Sequence, residues 1–201
     1  MNISEILENY SVEIATLENH YDWVKTNARD IDLETEMHLV IKLDKIMQYF
    51  RDLYKFSGVS SNNIYWNLTE IPIRAMLIPI TKRRYQTIIN PKYLELTGKE
   101  INTVEACGSV SDHKNYVVKR KPYVLISGYT LGKKHIELEY GSKDYDAGEY
   151  PVLFSYHHIE WIIQHEMDHL AGTTIEDTGI LFDFNSLIYD IYLKSEFRNP
   201  K

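Results

Sequence analysis

Two histidines and a glutamate form the pattern in this sequence that is best suited to chemistry. His165, Glu166 and His169 lie within the segment Gln164–Gly172. On a helix, four residues advance the chain by roughly 6 Å and return the side chain to nearly the same face, so the two imidazoles can bind one metal ion. Glu166 would then lie beside the metal. The spacing therefore indicates a metal-dependent hydrolase.

The third metal ligand distinguishes the hydrolase classes that use this spacing. A metzincin needs a histidine three residues after Gly172, and that position is Ile175, which excludes this subclass. A thermolysin-like site takes a downstream glutamate. Glu176 follows His169 too closely and Glu196 lies in the polar tail, so neither is an attractive ligand.

The single cysteine is the upstream candidate for the third ligand. Cys107 stands between strand-like stretches, and its small neighbours Ala106 and Gly108 let a backbone come close to a ligand. A thiolate at this position would complete a donor set of one cysteine and two histidines.

Composition and charge limit the class of protein. The 201 residues are 44% hydrophobic with a net charge of −7, which is typical of a globular protein without a broad nucleic-acid surface. One cysteine suits a reducing compartment. The sequence contains neither a signal-peptide pattern nor an apolar stretch of about 20 residues. We therefore expect a soluble cytoplasmic protein with no DNA partner and no membrane contact.

Residue periodicity predicts helices that flank an antiparallel sheet. Helical spacing of apolar residues indicates a first long helix from Leu33 to Tyr54. We expect Asn90-Pro91 to interrupt the strands that follow, and a turn with Gly128 and Gly132 to join the last two. The predicted strands are 71–80, 85–89, 117–118, 123–127 and 135–140.

A second helix should carry the two histidines. Its apolar residues suit a buried helix, Ser155 is a candidate N-cap, and Gly172 is well placed to end it. An acidic surface loop, 141–151, should precede it. No repeat or linker is present, so we expect a single domain over 1–201, with an extended N-terminal segment of about 1–33. The tail, about 180–201, should be partly helical.

At this point the chain resembles the peptide deformylases, whose three motifs are GxGLAAxQ, EGCLS and QHExDHLxG in that order. The third motif matches at every fixed position from Gln164 to Gly172. The second falls on Glu105–Ser109, with Ala106 in place of glycine and Gly108 in place of leucine. The first falls on Phe56–Asn63, where the second glycine is kept and Asn63 replaces glutamine.

The resemblance implies a metal centre and a mechanism. Cys107, His165 and His169 would hold one divalent ion, typically Fe(II), with Zn(II), Ni(II) or Co(II) as substitutes. Glu166 would take a proton from a water that attacks the formyl carbon of an N-formyl-methionyl peptide, and would return it to the leaving amine. The products would be formate and a free N-terminus.

The resemblance also implies which groups stabilise the negative oxygen of the tetrahedral intermediate. These would be the side chain of Asn63 and the backbone N–H of Gly108, and losing one such donor typically costs on the order of 3–4 kcal/mol. Asparagine is one methylene shorter than glutamine, so its amide falls short unless the loop moves inward by about 1 to 1.5 Å. We expect weakened activity.

Further residues resemble the family's buried support and its substrate pocket. Arg120 would pair with both Glu105 and Asp168, which ties the cysteine strand to the metal helix, and Gln164 belongs to the same support. Core packing explains the aromatic and apolar members of the pocket set nearly as well. The candidate pocket residues are Gly58, Val59, Trp161 and Ile162.

The expected fold is α+β, with antiparallel strands around a central metal-binding helix. The leading hypothesis is a metal-dependent peptide deformylase that acts on nascent chains, with transient ribosome contact. The second is a deformylase-like protein that binds metal or formyl peptides without turnover, which the altered residues Asn63, Ala106 and Gly108 motivate. The third is a metallopeptidase of another specificity, disfavoured because a cysteine ligand is unusual there.

Overall fold

The computed structural model describes residues 2–81, 83–110, 114–148, 151–153 and 157–183. The helices are α1 (Ile3–Asn9), α2 (Tyr21–Val24), α3 (Met37–Tyr54), α4 (Ile159–Leu170) and α5 (Ile175–Thr178), and Ser61–Asn63 form a 3₁₀ turn. The strands are β1 (Val12–Ile14), β2 (Val59–Ser60), β3 (Ile64–Trp66), β4 (Ala75–Thr81), β5 (Arg84–Thr97), β6 (Ile101–Ala106), β7 (Asn115–Arg120), β8 (Tyr123–Tyr129), β9 (His135–Gly141) and β10 (Ile180–Leu181).

A five-stranded antiparallel sheet separates the two long helices. Its strand order is β2-β4-β5-β8-β9. Along β4, Ala75 and Leu77 pack in the same core as α3, whereas Met76 and Ile78 pack in the same core as α4. Because successive side chains of a strand point to opposite faces, α3 and α4 cover opposite faces of this sheet.

The helix α4 is positioned by an apolar face and a left-handed stop. Ile163, Met167 and Leu170 recur at helical spacing and lie in the core beneath the sheet. The helix ends where Gly172 adopts a φ of +74° and the N–H of Thr173 donates to the carbonyl of Asp168. The prediction that Gly172 stops this helix is confirmed.

A second sheet carries the cysteine. Its antiparallel order is β10-β7-β6, and β6 ends at Ala106, one residue before Cys107. On the other edge of β6, Val104 donates to the carbonyl of Val152, so residues 151–153 continue the sheet with a parallel bridge. The cysteine therefore leaves a strand that is bonded on both sides.

The N-terminal segment packs against strand β3 and against the end of α4. Its strand β1 pairs antiparallel with β3, and the N–H of Ala28 donates to the carbonyl of Leu170. The carbonyl of Lys25 lies so close to Gly172 that a methyl group there would come within 2.3 Å of it. The side chain of Asn62 donates to the carbonyl of Thr26 at 2.7 Å. These contacts hold residues 23–28 against the last turn of α4.

Two predicted element boundaries are wrong. The first long helix begins at Met37 instead of Leu33, because the preceding residues form a turn in which Glu36 accepts from Arg29. The strand β5 continues through Asn90-Pro91, which sits at a register shift with Asn90 at a φ of 48°. There the side-chain amide of Asn90 bonds both backbone groups of Ile31, which ties this irregular point of β5 to the N-terminal segment.

Smaller differences concern turns and caps. Gly128 lies inside β8, and Lys133 is the left-handed residue of the β8–β9 turn. The residue before α4 is His158, which makes no side-chain cap bond. The candidate cap Ser155 and the predicted helical part of the tail, 187–193, lie outside the described residues. None of the helices in the described ranges is long and apolar enough to span a bilayer.

Candidate metal centre

Three donor atoms converge where the cysteine strand meets α4. Sγ of Cys107 lies 3.1 Å from Nε2 of His169, and this nitrogen lies 3.2 Å from Nε2 of His165. All three donors lie within 4.8 Å of one another. In a tetrahedral site with bonds of about 2.0–2.3 Å, donor atoms are about 3.5 Å apart. The observed spacing fits one transition-metal ion with small adjustments.

The surroundings of Cys107 favour the thiolate form of its side chain. Burial raises its pKa, but the neighbouring His169 and His165 outweigh burial and hold the pKa of this thiol well below its ordinary value. The N–H of Ser109 also points at the sulfur, at 3.4 Å. Because the thiolate is the form that binds metals, this environment favours coordination.

A buried chain of charge pairs orients the metal helix. Nδ1 of His165 bonds Oε2 of Glu105 at 2.9 Å, which leaves Nε2 to face the donor cluster. Arg120 donates to both oxygens of Glu105, at 2.8 and 2.7 Å, and to Asp168 at 2.5 Å. Burial raises the pKa of Glu105, but Arg120 outweighs it and holds the pKa well below its ordinary range. The structure thus joins β6, β7 and α4 through one arginine.

Gln164 fastens the same helix to the β7–β8 turn. Its side-chain oxygen accepts from the N–H of Lys121 at 2.9 Å, and its nitrogen donates to the carbonyl of Lys121 at 2.8 Å. The nitrogen also donates to the carbonyl of Glu160, one turn earlier on α4. This buried amide satisfies three backbone groups and sets the distance between α4 and the sheet that contains Arg120.

Glu166 lies beside the three donor atoms. Its Oε2 is buried and has no hydrogen-bond partner among the described residues. Burial raises the pKa of this carboxyl, so it can take up a proton more readily than an exposed glutamate. A methyl group at Gly58 would lie 2.7 Å from Oε1 of Glu166 and 2.7 Å from Cγ2 of Ile162. The glycine is therefore required for space.

Asn63 has its side chain held at both ends. Its Oδ1 accepts from the N–H of Ser60 at 2.8 Å and from the hydroxyl of Ser60 at 2.7 Å. Its Nδ2 donates to the hydroxyl of Ser109 at 2.9 Å. The amide thus caps the 3₁₀ turn and ties it to the residue two positions after Cys107. One N–H of Nδ2 is committed to that tie, and the second is left for a ligand.

A cavity of about 660 Å³ opens above these groups. Trp161 and Ile162 line it together with Gly58, Gly108 and Asn63, as the sequence suggests. Trp161 is held by a stacked contact with His158 at 3.9 Å between ring centroids. Val59 was also predicted to line the pocket, but it is not among the described residues that line the cavity. Its side chain is fully buried in the core shared with α3.

Several residues that line the cavity, or that hold one of its lining residues in place, were not found from the sequence. Ser60 had a local signal, since its spacing to Asn63 is that of a capping pair. Ser109 was recognised only as a motif position. Phe56 lies against Gly108, and Ile14 reaches the cavity from the N-terminal segment. These last two contacts carry no local sequence signal, because they join distant parts of the chain.

An α+β protein with a largely buried Cys-His-His donor set and a buried glutamate beside it is a candidate mononuclear metalloenzyme. Residues 12–180 match the family model of polypeptide deformylase. The chain therefore belongs to the polypeptide deformylase family, whose members are metal-dependent hydrolases. No curated protein sequence matches the chain.

Solved peptide deformylases share the fold. The enzyme from Thermotoga maritima superposes with a TM-score of 0.63 at 18% identity, covering 83% of this chain and 95% of that one. The Met-Ala-Ser-bound class I type b enzyme from Acinetobacter baumannii gives 0.65 at 20%, covering 83% and 96%. The actinonin complex from Synechococcus elongatus gives 0.64 at 17%, covering 92% and 88%. The chain has the peptide deformylase-like α+β fold with antiparallel sheets.

Proposed function

We propose that the protein removes the formyl group from the N-terminal formyl-methionine of nascent polypeptides and releases formate. The observation that carries the proposal is the unpaired buried oxygen of Glu166, which lies beside Cys107, His165 and His169 at the base of the cavity. A buried polar atom without a protein partner is suited to bind a water or substrate group. Family membership supports the choice of formylated peptides.

We propose one divalent ion at the three donors, with Fe(II) as the native ion and Zn(II), Ni(II) or Co(II) as substitutes. When bound, such an ion acts as a Lewis acid and lowers the pKa of a coordinated water toward neutrality. Glu166 would accept a proton from the attacking water and would later donate it to the leaving amine of methionine. Burial raises the pKa of Glu166, which favours its role as a proton acceptor and then as a proton donor.

Donors for the developing oxyanion would come from the opposite side of the cavity. The N–H of Gly108 follows the cysteine directly, and Asn63 lines the same cavity from the 3₁₀ turn, with its second side-chain N–H as the proposed donor. The bonds to Ser60 and Ser109 hold the asparagine in place before the substrate arrives. Such preorganisation lowers the barrier because no donor has to be reoriented during the reaction.

The methionine side chain would lie against Trp161 and Ile162. Both belong to α4 and line the apolar part of the cavity, one turn before His165. We further propose that the protein forms one domain and works in the cytoplasm in transient contact with the ribosome, where formylated chains emerge.

Formate release tests the proposal directly. The protein is purified anaerobically with Fe(II), and formate is followed from formyl-Met-Ala-Ser. Glu166→Gln should lower kcat by about 10²–10⁴-fold with metal content retained, because only the proton transfer is removed. Glu176→Gln is the matched control, since Glu176 bonds Tyr116 outside the cavity. No formate above the Glu166→Gln level contradicts the proposal, and cleavage of an internal peptide bond would favour a metallopeptidase.

A second candidate function has one observation in its favour. The amide of Asn63 already spends three hydrogen bonds on Ser60 and Ser109, which suits a structural tie as well as an oxyanion donor. A protein of this kind would bind the metal and formyl peptides without hydrolysis. Calorimetric binding of formyl-Met-Ala-Ser to the metal-loaded protein, with no formate formed, would support this function over the first.

A further inference from the structure

The ring of Phe56 occupies the space beside Gly108. A methyl group at residue 108 would lie 2.8 Å from Cζ and 2.9 Å from Cε1 of this ring. Carbon atoms in favourable contact are about 3.5–4.0 Å apart, so no side chain fits at residue 108 while the ring stays in place. Gly108 does not adopt a positive φ. Glycine is required here because of the ring and not because of the backbone conformation.

An aromatic stack holds Phe56 in this position. The helix α3 ends at Tyr54, and the next residue, Lys55, is left-handed with a φ of 60° and turns the chain toward the cavity. The ring of Phe56 stacks on Tyr54, with centroids 5.4 Å apart, and Tyr54 stacks on Phe50 at 6.0 Å. Phe50 is buried in the core. The ring is thus supported from behind by α3, as a wall must be to exclude a ligand group.

Phe56 and Gly108 also differ from the deformylase motifs in opposite ways, since one side chain is larger and the other smaller than the motif residue. Phe56 stands where the first motif has glycine, and Gly108 stands where the second has leucine. The large side chain is therefore supplied by the segment after α3 instead of the segment after β6. Because the two positions touch, these departures amount to one exchange of volume across the cavity wall.

We propose that Phe56, with Gly108, determines which second residue is accepted in a formyl-methionyl peptide. The proposal rests on the proposed function for its substrate class. Phe56 and Gly108 line the same cavity as Trp161 and Ile162, to which the methionine side chain is assigned. We therefore assign the second residue of the peptide to the wall formed by Phe56 and Gly108. The ring is fixed and bulky. It therefore favours small second residues such as alanine over large ones such as phenylalanine.

Substrate ratios test this inference. For the Fe(II)-loaded protein, kcat/KM is measured for formyl-Met-Ala-Ser and formyl-Met-Phe-Ser. Phe56→Ala should lower the alanine-to-phenylalanine ratio by about tenfold, the usual scale of discrimination by apolar pocket volume. The control is Tyr49→Ala, which removes an aromatic neighbour of Phe50 on the exposed side of α3. A Phe56→Ala ratio within twofold of the wild-type value, or an equal change in Tyr49→Ala, would overturn the proposal.

The volume exchange itself can be reversed. Gly108→Leu should lower kcat/KM for both peptides at least tenfold, because the leucine meets the ring. The double variant Phe56→Gly with Gly108→Leu should recover most of that loss. A double variant no better than Gly108→Leu alone would show that the two positions do not exchange volume.

Product binding separates this inference from the proposed function. The affinities of Met-Ala-Ser and Met-Phe-Ser are measured by calorimetry for the wild type and Phe56→Ala. If the wild type releases no formate, the deformylase proposal fails, yet a tenfold change in the affinity ratio would still support Phe56 as the selecting wall. An unchanged affinity ratio overturns the inference even if formate is released.

Discussion

The two sides of the cavity are held together by different kinds of contact. The metal side, defined by Cys107, His165, His169 and their partners Glu105 and Arg120, sits on regular elements joined by buried charge pairs. The loop side, defined by the 3₁₀ turn Ser61–Asn63 with Ser60 and Ser109, is joined by neutral hydrogen bonds.

This difference explains where the motifs are kept and where they change. A buried ion pair loses several kcal/mol when one partner is replaced, so single changes on the metal side are costly. Neutral hydrogen bonds and steric contacts can be rebuilt by a compensating change nearby. The helix motif on the metal side is complete, whereas Phe56 and Gly108 beside the loop side have changed together.

Breaking the charge chain of the metal side should have the largest effect. Arg120→Met leaves the carboxylate of Glu105 buried without its cation, and should lower the free energy of unfolding by about 3–5 kcal/mol. Lys143→Met, which breaks an exposed pair with Glu95, is the control and should cost under about 1 kcal/mol. Urea unfolding measures both. Equal losses in the two variants would show that the buried chain has no special weight.

Adding a methyl group at Gly58, between the two sides of the cavity, should lower the reaction rate more than the stability of the fold. In Gly58→Ala, the new methyl group would push Glu166 and Ile162 away from residue 58 by a sizeable part of 1 Å. This should lower kcat for formate release about 10²-fold, because catalytic groups tolerate little displacement. Metal content should stay at the wild-type level. Gly132→Ala is the matched control, since its methyl group meets only Thr130, at 3.7 Å. Wild-type kcat in Gly58→Ala would contradict the close approach.

Removing one hydrogen bond from the loop side should have a smaller effect. Ser109→Ala deprives Nδ2 of Asn63 of its acceptor and should cost about 1–2 kcal/mol of unfolding free energy. The rate should fall while the metal stays bound, because the amide is no longer held. Ser142→Ala is the control, because this serine is exposed on the turn after β9 and its hydroxyl accepts only from the N–H of Asp144 among the described contacts. Loss of metal from Ser109→Ala would place this residue on the metal side instead.

Lengthening the amide sharpens the same comparison. The sequence suggests that Asn63 is too short, so that Asn63→Gln would raise the rate. The structure indicates the opposite, because a longer side chain cannot keep the bonds to both Ser60 and Ser109. We expect Asn63→Gln to lower formate release and unfolding free energy together. A higher rate would show that reach matters more than these bonds.

The smallest effect is expected for Asp177, whose partly exposed ion pair with Lys25 lies outside the metal side. Burial raises the pKa of Asp177, but the hydrogen bond from Lys25 outweighs it, and the net pKa lies below the ordinary 3.8. A depressed carboxyl pKa adds stability that is present above the ordinary value and is lost as the pH falls through the folded value. Asp177→Asn should therefore cost under about 1 kcal/mol at pH 7, since the pair is partly exposed.

Unfolding at two pH values checks this prediction. The difference between wild type and Asp177→Asn should shrink when urea unfolding is repeated at a pH well below the ordinary 3.8. A difference that stays constant with pH would contradict a contribution from the carboxylate charge, because Lys25 and the N–H of Thr174 both lower the pKa of Asp177.

Local patterns account for the parts of the fold that were predicted correctly. The metal helix, its glycine stop and the antiparallel strands follow from periodicity and turn residues that act within a few positions. The failures are tertiary in origin. The irregular point of β5 at Asn90 is held by bonds from its amide to Ile31, 59 residues away, which no local pattern predicts. Val59 packs in the core instead of the cavity because β2 pairs with β4.

By itself, the sequence determined that His165 and His169 share one face of a helix with Glu166 beside them, because the period of an α-helix is a local property. It pointed to Cys107 only through its uniqueness and a resemblance, since no local rule brings residues 62 positions apart together. The tertiary structure alone decided what surrounds them. Asn63 with Ser109 and Phe56 with Gly108 meet across the fold, and such contacts depend on how the sheets and helices pack.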